Sequence, residues 1–315
     1  MEIIKTPIFC LSGPTASGKS QTAINLAKRW PIEIINVNSA TIYRGMDIGT
    51  DKPSINEQKD FHHHLIDICD PAQKYSSAEF IKDTNNLISK IVKRGNIPFL
   101  VGGTMMYFNV LRNGLNDLPA ANEKLRIKIE NYANRKGWHS LYEKLQTHDP
   151  ETAKRLSPND KQRIQRAIEI YLLTGQTMSK HLINQRRKNL NNSRNYITIS
   201  LEPSERGFLF SRIEKRFDQM LDLGLLNEVK RFYTRADLHL GIPSMRCIGY
   251  RQYWKYLDGS INLDCARSES IISTRKLAKS QITWLRAQPD RIIIDCLEKN
   301  FIGKVVDTVS KFIKI

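Results

Sequence analysis

The eight residues Gly13–Ser20, GPTASGKS, have the types and spacing needed to hold a phosphate. They fit G-x-x-x-x-G-K-[ST] between an apolar run that reads as a strand and a periodic run that reads as a helix. Gly13 and Gly18 let the backbone wrap an anion, so the N–H groups along Pro14, Thr15, Ala16 and Ser17 can point inward. The helix N-terminus adds partial positive charge. Lys19 supplies a mobile full charge, and the Ser20 hydroxyl is placed to ligate Mg²⁺.

This motif names a phosphate and no reaction. An ATPase of this class needs an acidic strand end for its magnesium. The later run IPFLVGGT ends instead in Gly102, Gly103 and Thr104, a hydroxyl without a carboxylate. That counts against a mechanical ATPase and favours a site that grips a diphosphate for another purpose. A second polar group follows the apolar run IEII, in NVNSATIYRGMDIG (Asn36 to Gly49). Polar residues just past a strand end are where α/β proteins place ligand groups. Asn38, Ser39, Ala40 and Thr41 occupy that edge. Asn38 carries an amide, which neither takes up nor gives up a proton near neutral pH.

Two later stretches carry cations and rings. IPSMRCIGYRQYWKYL (Ile242 to Leu257) interleaves Arg246 and Arg251 with Tyr250, Tyr253 and Trp254. Cations beside stacking surfaces suit an unpaired nucleobase and its backbone. Tyr253 and Trp254, at helical spacing, are expected in the core. STRKLAKSQITWLR (Ser273 to Arg286) sets Arg275, Lys279 and Arg286 along one helix face.

The elements that must position these residues alternate in the first third. Strands are expected at Ile8–Ser12, Ile32–Val37, His63–Ile68 and Ile97–Gly103. Helices are expected from Gly18, from Ser76 with its Ser/Glu capping box, and from Thr104. This alternation argues a parallel sheet covered on both faces. From Asn122 to Arg187 only helical patterns occur, with starts at Asp149 and Asn159 and stops at Gly137 and Gly175. A polar basic stretch ends it. A strand at Tyr196–Pro203, helices at Ser204–Leu223 and Leu263–Gln288 and a last strand at Arg291–Asp295 complete the reading. The fold class is therefore α/β, a P-loop core with a parallel sheet plus an all-helical insertion domain. Its expected parts are core 1–121, insert 122–195 and core 196–315.

Composition narrows the function. Lys and Arg number 49 against 32 Asp and Glu, a net charge of +17. Such a field attracts polyanions, with nucleic acid foremost, although AT-rich coding also swells Lys, Asn and Ile. No apolar run approaches the roughly 20 residues that span a bilayer. The N-terminus lacks the apolar segment of a signal peptide, so the cytoplasm is the expected compartment. Cys10, Cys69, Cys247, Cys265 and Cys296 show no C-x-x-C spacing and read as reduced thiols, with Cys247 in the most unusual setting.

The stretches GPTASGKS, NSATIYRGMDIGT, LVGGT, PNDKQRIQRAIEI, RIEKRFDQML, PSMRCIGYRQ and TRKLAKSQITWLR occur in the order and spacing of one family. The chain resembles the tRNA dimethylallyltransferases from about Pro7 to Arg286. The resemblance implies a P-loop that grips the diphosphate of dimethylallyl diphosphate, with Mg²⁺ as cofactor. The prenyl group would pass to N6 of the adenosine 3′ of the anticodon, in tRNAs reading codons that start with U. It implies tRNA contacts at Asn38 to Thr41, at Gln162, Arg163, Ile164, Gln165 and Arg166, at Arg246, Cys247, Ile248, Gly249, Tyr250 and Arg251, and at Lys276, Lys279 and Thr283. It implies catalytic roles for Lys19, Thr104, Arg216 and the residue at position 38. Arg212, one turn before Arg216, is a rival for the diphosphate. The partner is the anticodon stem-loop, and the enzyme is expected to act as a monomer.

In the family, position 38 is usually aspartate, which assists the weakly nucleophilic adenine amine. Asn38 retains a carbonyl acceptor but no charge, so a slower chemical step is expected. A nucleoside kinase, a prenyltransferase of free adenine nucleotides and an inactive tRNA-binding relative are the alternatives. The basic helical insert favours a macromolecular acceptor, and the missing strand-end carboxylate disfavours a kinase.

Overall fold

The structure is a computed structural model that describes residues 7–114, 118–188 and 195–313. The chain divides into two compact units, one formed by residues up to 112 with those from 194 onward, the other by 113–193.

In the first unit, β1 (Ile8–Ser12) is buried at every position and leads through the phosphate loop into α1 (Lys19–Ala27). β2 (Ile32–Val37) follows, then the short α2 (Ile55–Asp60), which Ser54 and Glu57 close with a capping box. β3 covers only His63–His64. The expected strand to Ile68 stops early because Leu65 (φ 61) and Asp67 (φ 55) leave the extended region. α3 (Ser77–Lys93) begins at the capping box of Ser76 and Glu79. β4 (Ile97–Gly102) is wholly buried, and α4 (Met105–Asn113) leaves it after Thr104.

The second unit is helical: α5 (Glu123–Lys136), α6 (Trp138–His148), α7 (Pro150–Ala153), α8 (Lys161–Thr174) and α9 (Met178–Lys188). Asn122, Asp149 and Asp160 cap helix starts with side-chain oxygens, and Gly137 and Gly175 end helices. Its core gathers Ile129, Leu141, Leu145 and Ile164. The basic stretch at 189–194 lies outside the described residues.

The first unit resumes with β5 (Tyr196–Glu202), α10 (Arg206–Asp222), α11 (Leu225–Tyr233), α12 (Tyr250–Leu257), α13 (Leu263–Arg286), β6 (Arg291–Asp295) and α14 (Phe301–Ser310). Sequence patterns did not mark α2, α11, α12 and α14 as helices. Each has ten residues or fewer, too few turns for periodicity to stand out.

The six strands form one sheet in the order β3-β2-β4-β1-β5-β6, parallel at every pairing. Both faces are covered, which is why the central strands are continuous apolar runs. The register then does the positioning. Ser12 pairs with Gly102, and Val37 pairs with the same Gly102 on its other side. The next residues of the three strands are Gly13, Gly103 and Asn38. Three motifs far apart in sequence therefore leave one edge of the sheet side by side. No helix among the described residues is long and apolar enough to cross a membrane.

Candidate active site

The phosphate loop turns on two left-handed residues. Ala16 has φ 63, and Gly18, at φ 85, is the N-cap of α1. A side chain at Gly18 would be strained there, and its Cβ would also sit 3.0 Å from the Phe301 ring. Lys19 folds over the loop, donating to the Pro14 carbonyl at 2.6 Å and reaching the Ser17 hydroxyl at 3.4 Å. Burial pushes the Lys19 ammonium down to about 7, and the nearby Arg216 cation pushes the same way. Asp51 and Cys296 oppose that shift without cancelling it, so an anion entering the loop would stabilise the Lys19 charge.

Arg216 reaches the loop from α10. Its Nη1 donates to the Thr15 hydroxyl at 3.3 Å, and its Nη2 lies 3.0 Å from the Asp51 carboxylate. Burial lowers the Arg216 pKa and the Asp51 charge opposes it. Arg212, one turn earlier, reaches the Cys296 carbonyl at 3.4 Å instead. Of the two rivals, Arg216 is the one with its guanidinium at the phosphate loop.

The neighbouring edge is built by hydrogen bonds. Asn36 donates to the Thr41 hydroxyl at 2.6 Å and to the Leu65 carbonyl at 3.1 Å. Asn38 Oδ1 accepts the Ala40 N–H at 3.0 Å, an Asx-type turn. Thr104 bridges two strand ends. Its N–H donates to the Val37 carbonyl at 3.1 Å, and its hydroxyl accepts the Ser39 N–H at the same distance. Asn38, Ser39 and Thr104 are thus one connected group.

The rest of that loop hangs on Glu228, which is only 1% exposed. Its carboxylate accepts the N–H groups of Asp47, Ile48 and Gly49 at 3.0, 2.8 and 3.1 Å, and the Tyr250 hydroxyl completes the set. Burial, then the Glu228 charge, raise the Tyr250 pKa. Gln281 of α13 is a second buried organiser, tied to Thr15 and Gly103.

The residues expected to face RNA divide by exposure. Arg246, Arg251, Lys276, Lys279 and Thr283 are exposed, as are Gln162 and Arg163 within the helical unit. Tyr250 is a correction: the ring is fully buried and its hydroxyl is committed to Glu228, so it presents no stacking face. Ile164 is likewise buried in the helical core, because it lies on the inner stripe of α8. Thr41 is 3% exposed with its hydroxyl taken by Asn36. Gly249 is buried, while Ala40, Ile248 and Gln165 are half-buried. Arg166 ion-pairs with the buried Glu169 at 2.6 Å and donates to the Pro119 carbonyl at the same distance. Burial pushes the Cys247 thiol up to about 12, leaving a neutral, unreactive group.

Sequence reasoning missed Glu228, Asn36, Asp51 and Gln281. Glu228 and Gln281 sit on the inward stripe of their helices, where a polar residue needs a buried partner. That was the available signal.

Among the described residues no three His, Cys, Asp or Glu side chains group as a metal cage. The donor at the loop is the exposed Ser20 hydroxyl, while the Asp51 carboxylate is engaged by Arg216. That arrangement fits Mg²⁺, which takes one or two protein oxygens and completes its shell with phosphate oxygens and water.

Sheet order, phosphate loop and site geometry together define a P-loop α/β protein with a helical insertion. The family model described as IPP transferase matches residues 41–288. The chain belongs to that family. It is 56% identical to the tRNA dimethylallyltransferase of Bordetella pertussis over 304 residues, covering 96% of this chain and 97% of that one. The corresponding protein of Burkholderia cenocepacia is 51% identical over 307 residues, covering 97% and 95%. Among solved structures, the full-length tRNA isopentenylpyrophosphate transferase of Bacillus halodurans aligns with a TM-score of 0.71 at 35% identity, over 98% of this chain and 96% of that one. A eukaryotic dimethylallyltransferase acting on tRNA aligns with a TM-score of 0.80 at 26% identity, over 97% and 80%.

Proposed function

We propose that this enzyme transfers the dimethylallyl group of dimethylallyl diphosphate to N6 of the adenosine 3′ of the anticodon, in tRNAs reading codons that start with U. The observation that carries the reading is the meeting at one sheet edge of two half-sites. One is a phosphate loop with Lys19 and Arg216 on it, and the other is the Asn38, Ser39 and Thr104 group.

The adenine N6 lone pair forms a bond to the allylic C1 as the C1–O bond breaks. The diphosphate leaves with the C1–O bonding pair, and the N6 proton leaves to water or to the diphosphate. Negative charge grows on the diphosphate oxygens as C1 becomes cation-like. The loop N–H groups, Lys19 and Arg216 oppose that charge more strongly in the transition state than before it. Ser20 would hold Mg²⁺ at the loop, and the ion would supply further neutralisation of the leaving group's charge. The Thr104 hydroxyl, held against Ser39, hydrogen-bonds the oxygen that joins C1 to the leaving diphosphate. Asn38 orients the amine by its carbonyl without accepting the proton.

The acceptor is taken from the single-stranded anticodon loop, where unstacking a base costs least. The exposed cations of α13 and the segment around Arg246 and Arg251 hold its phosphates. The helical unit holds another part of the stem-loop through Gln162 and Arg163. The enzyme acts as a monomer in the cytoplasm.

The test is incubation with labelled dimethylallyl diphosphate, Mg²⁺ and unmodified tRNA or its anticodon stem-loop. Label in the RNA supports the reading. Label in AMP or ATP would show a nucleotide prenyltransferase, and RNA binding without transfer would show an inactive relative.

A further inference from the structure

Gln281 has an end-group arrangement that ties two separate motifs to a third element. Its Oε1 accepts the Thr15 N–H of the phosphate loop at 2.9 Å. Its Nε2 donates to the Gly103 carbonyl, in the turn after β4, at 2.8 Å. The side chain is 7% exposed and grows from α13, the helix that presents Lys276, Lys279 and Thr283 outward. The contact is tight: a Cβ at Gly103 would lie 2.5 Å from Gln281 Nε2. Glycine is thus needed there for the amide to approach.

We infer that Gln281 is a positioning residue for the diphosphate, setting the phosphate loop against the β4 turn and coupling both to the RNA-facing helix. The two partners demand one acceptor and one donor at the end of a single side chain. Glutamine supplies both at this length. Glutamate supplies only acceptors when ionised, lysine only donors, and methionine neither. The Thr15 amide belongs to the loop that wraps the phosphate. Its direction therefore matters to an anion, and a displacement of well under an ångström weakens a preorganised site. Because α13 is one continuous helix of 24 residues, a load on its exposed cations is felt at Gln281. This RNA half of the inference rests on the function proposed above.

The experiment is calorimetric titration of the full-length protein with dimethylallyl diphosphate and Mg²⁺, with and without a saturating anticodon stem-loop whose target adenosine is replaced by purine riboside, which lacks the N6 amine and cannot react. Gln281→Met and Gln281→Asn are compared with the parent. Met keeps the volume and loses both hydrogen bonds, while Asn keeps both groups one methylene too short. Without RNA, each variant is expected to bind the diphosphate roughly five- to tenfold more weakly, the scale of one amide left without its partner. Melting temperature is expected to move by only about 2–4 °C and stem-loop affinity by less than about twofold. In steady state, KM for the prenyl donor rises while KM for the RNA holds. In the parent the stem-loop changes diphosphate affinity, and in both variants that change is reduced.

Diphosphate affinity unchanged within about twofold in whichever variants fold overturns the assignment. Loss of melting stability with unchanged affinity in the folded fraction also overturns it, since that marks a packing role alone. Should the parent bind no RNA, the proposed acceptor falls, while the RNA-free titration still decides the cradle role of Gln281.

Discussion

Arg216 and Asp51 face each other at 3.0 Å beside the phosphate loop, so the arginine that reaches Thr15 already holds an anion. Asp51 keeps a left-handed backbone (φ 54) to reach it and is half exposed, with 54% of its side chain open to solvent. An entering diphosphate competes with this carboxylate for the guanidinium and is repelled by it. Asp51→Asn is therefore expected to tighten diphosphate binding about two- to fivefold, the range of a partly exposed ion pair. Calorimetry at matched Mg²⁺ reads it. Weaker binding would mean that Asp51 helps to hold the metal.

Lys19 predicts a pH dependence of definite sign. Its pKa in the free enzyme is about 7, and a bound diphosphate stabilises the ammonium and raises that value. Below pH 7 the charge is present before binding, so affinity from this group is level. As pH rises through 7 a proton must be taken up on binding, and affinity falls until the pKa of the complex is passed. The diphosphate titrates as well, so the parent profile is compared with that of Lys19→Met. The difference should fall from pH 6.5 to 8.5 by up to about tenfold per pH unit. A flat difference contradicts the assignment.

Asn38 accepts the Ala40 N–H through Oδ1, a geometry that a carboxylate oxygen can keep. Asn38→Asp is then expected to fold normally and to add a charge opposite the amine that becomes cationic. Single-turnover transfer should rise about tenfold or more, toward the usual contribution of a positioned base. Binding of tRNA should change little. An unchanged chemical rate removes the base role from this position.

Glu228 gathers three backbone N–H groups and the Tyr250 hydroxyl in the interior. Glu228→Gln turns one acceptor into a donor facing donors, and is expected to cost about 1–3 kcal/mol of stability. Tyr250→Phe leaves the carboxylate its three amides and costs about 1 kcal/mol. Because Tyr250 is buried, Tyr250→Phe should leave tRNA affinity intact. Denaturant melts and a filter-binding titration check the two halves, and a large loss of RNA affinity would restore the ring as a contact.

Some of these residues were legible without coordinates because their signals are local. The phosphate loop, its flanking strand and helix, the capping box at Ser76 and the helical character of 122–187 each depend on neighbours within a few residues. Hydrogen-bond chemistry, backbone freedom and hydrophobic period express themselves at that range. The family resemblance added roles, because motif order records a long-range arrangement that no single window contains.

Tertiary structure decided what depends on where elements pack. Arg212 and Arg216 share a face of one helix, and only the placement of α10 sends the second to Thr15 and the first to the Cys296 carbonyl. Tyr250 reads as an RNA-stacking ring in its motif and is an interior hydrogen-bond donor in the fold. The inward stripe marks Glu228 and Gln281 as needing buried partners but does not say which, since the backbone groups they hold stand at least 178 residues away in sequence. The sequence by itself determined that a loop of phosphate-binding type joins the first strand to the first helix. The packing of α10 to α13 against the sheet edge decided which side chains surround it, because direction and burial are properties of the assembled core.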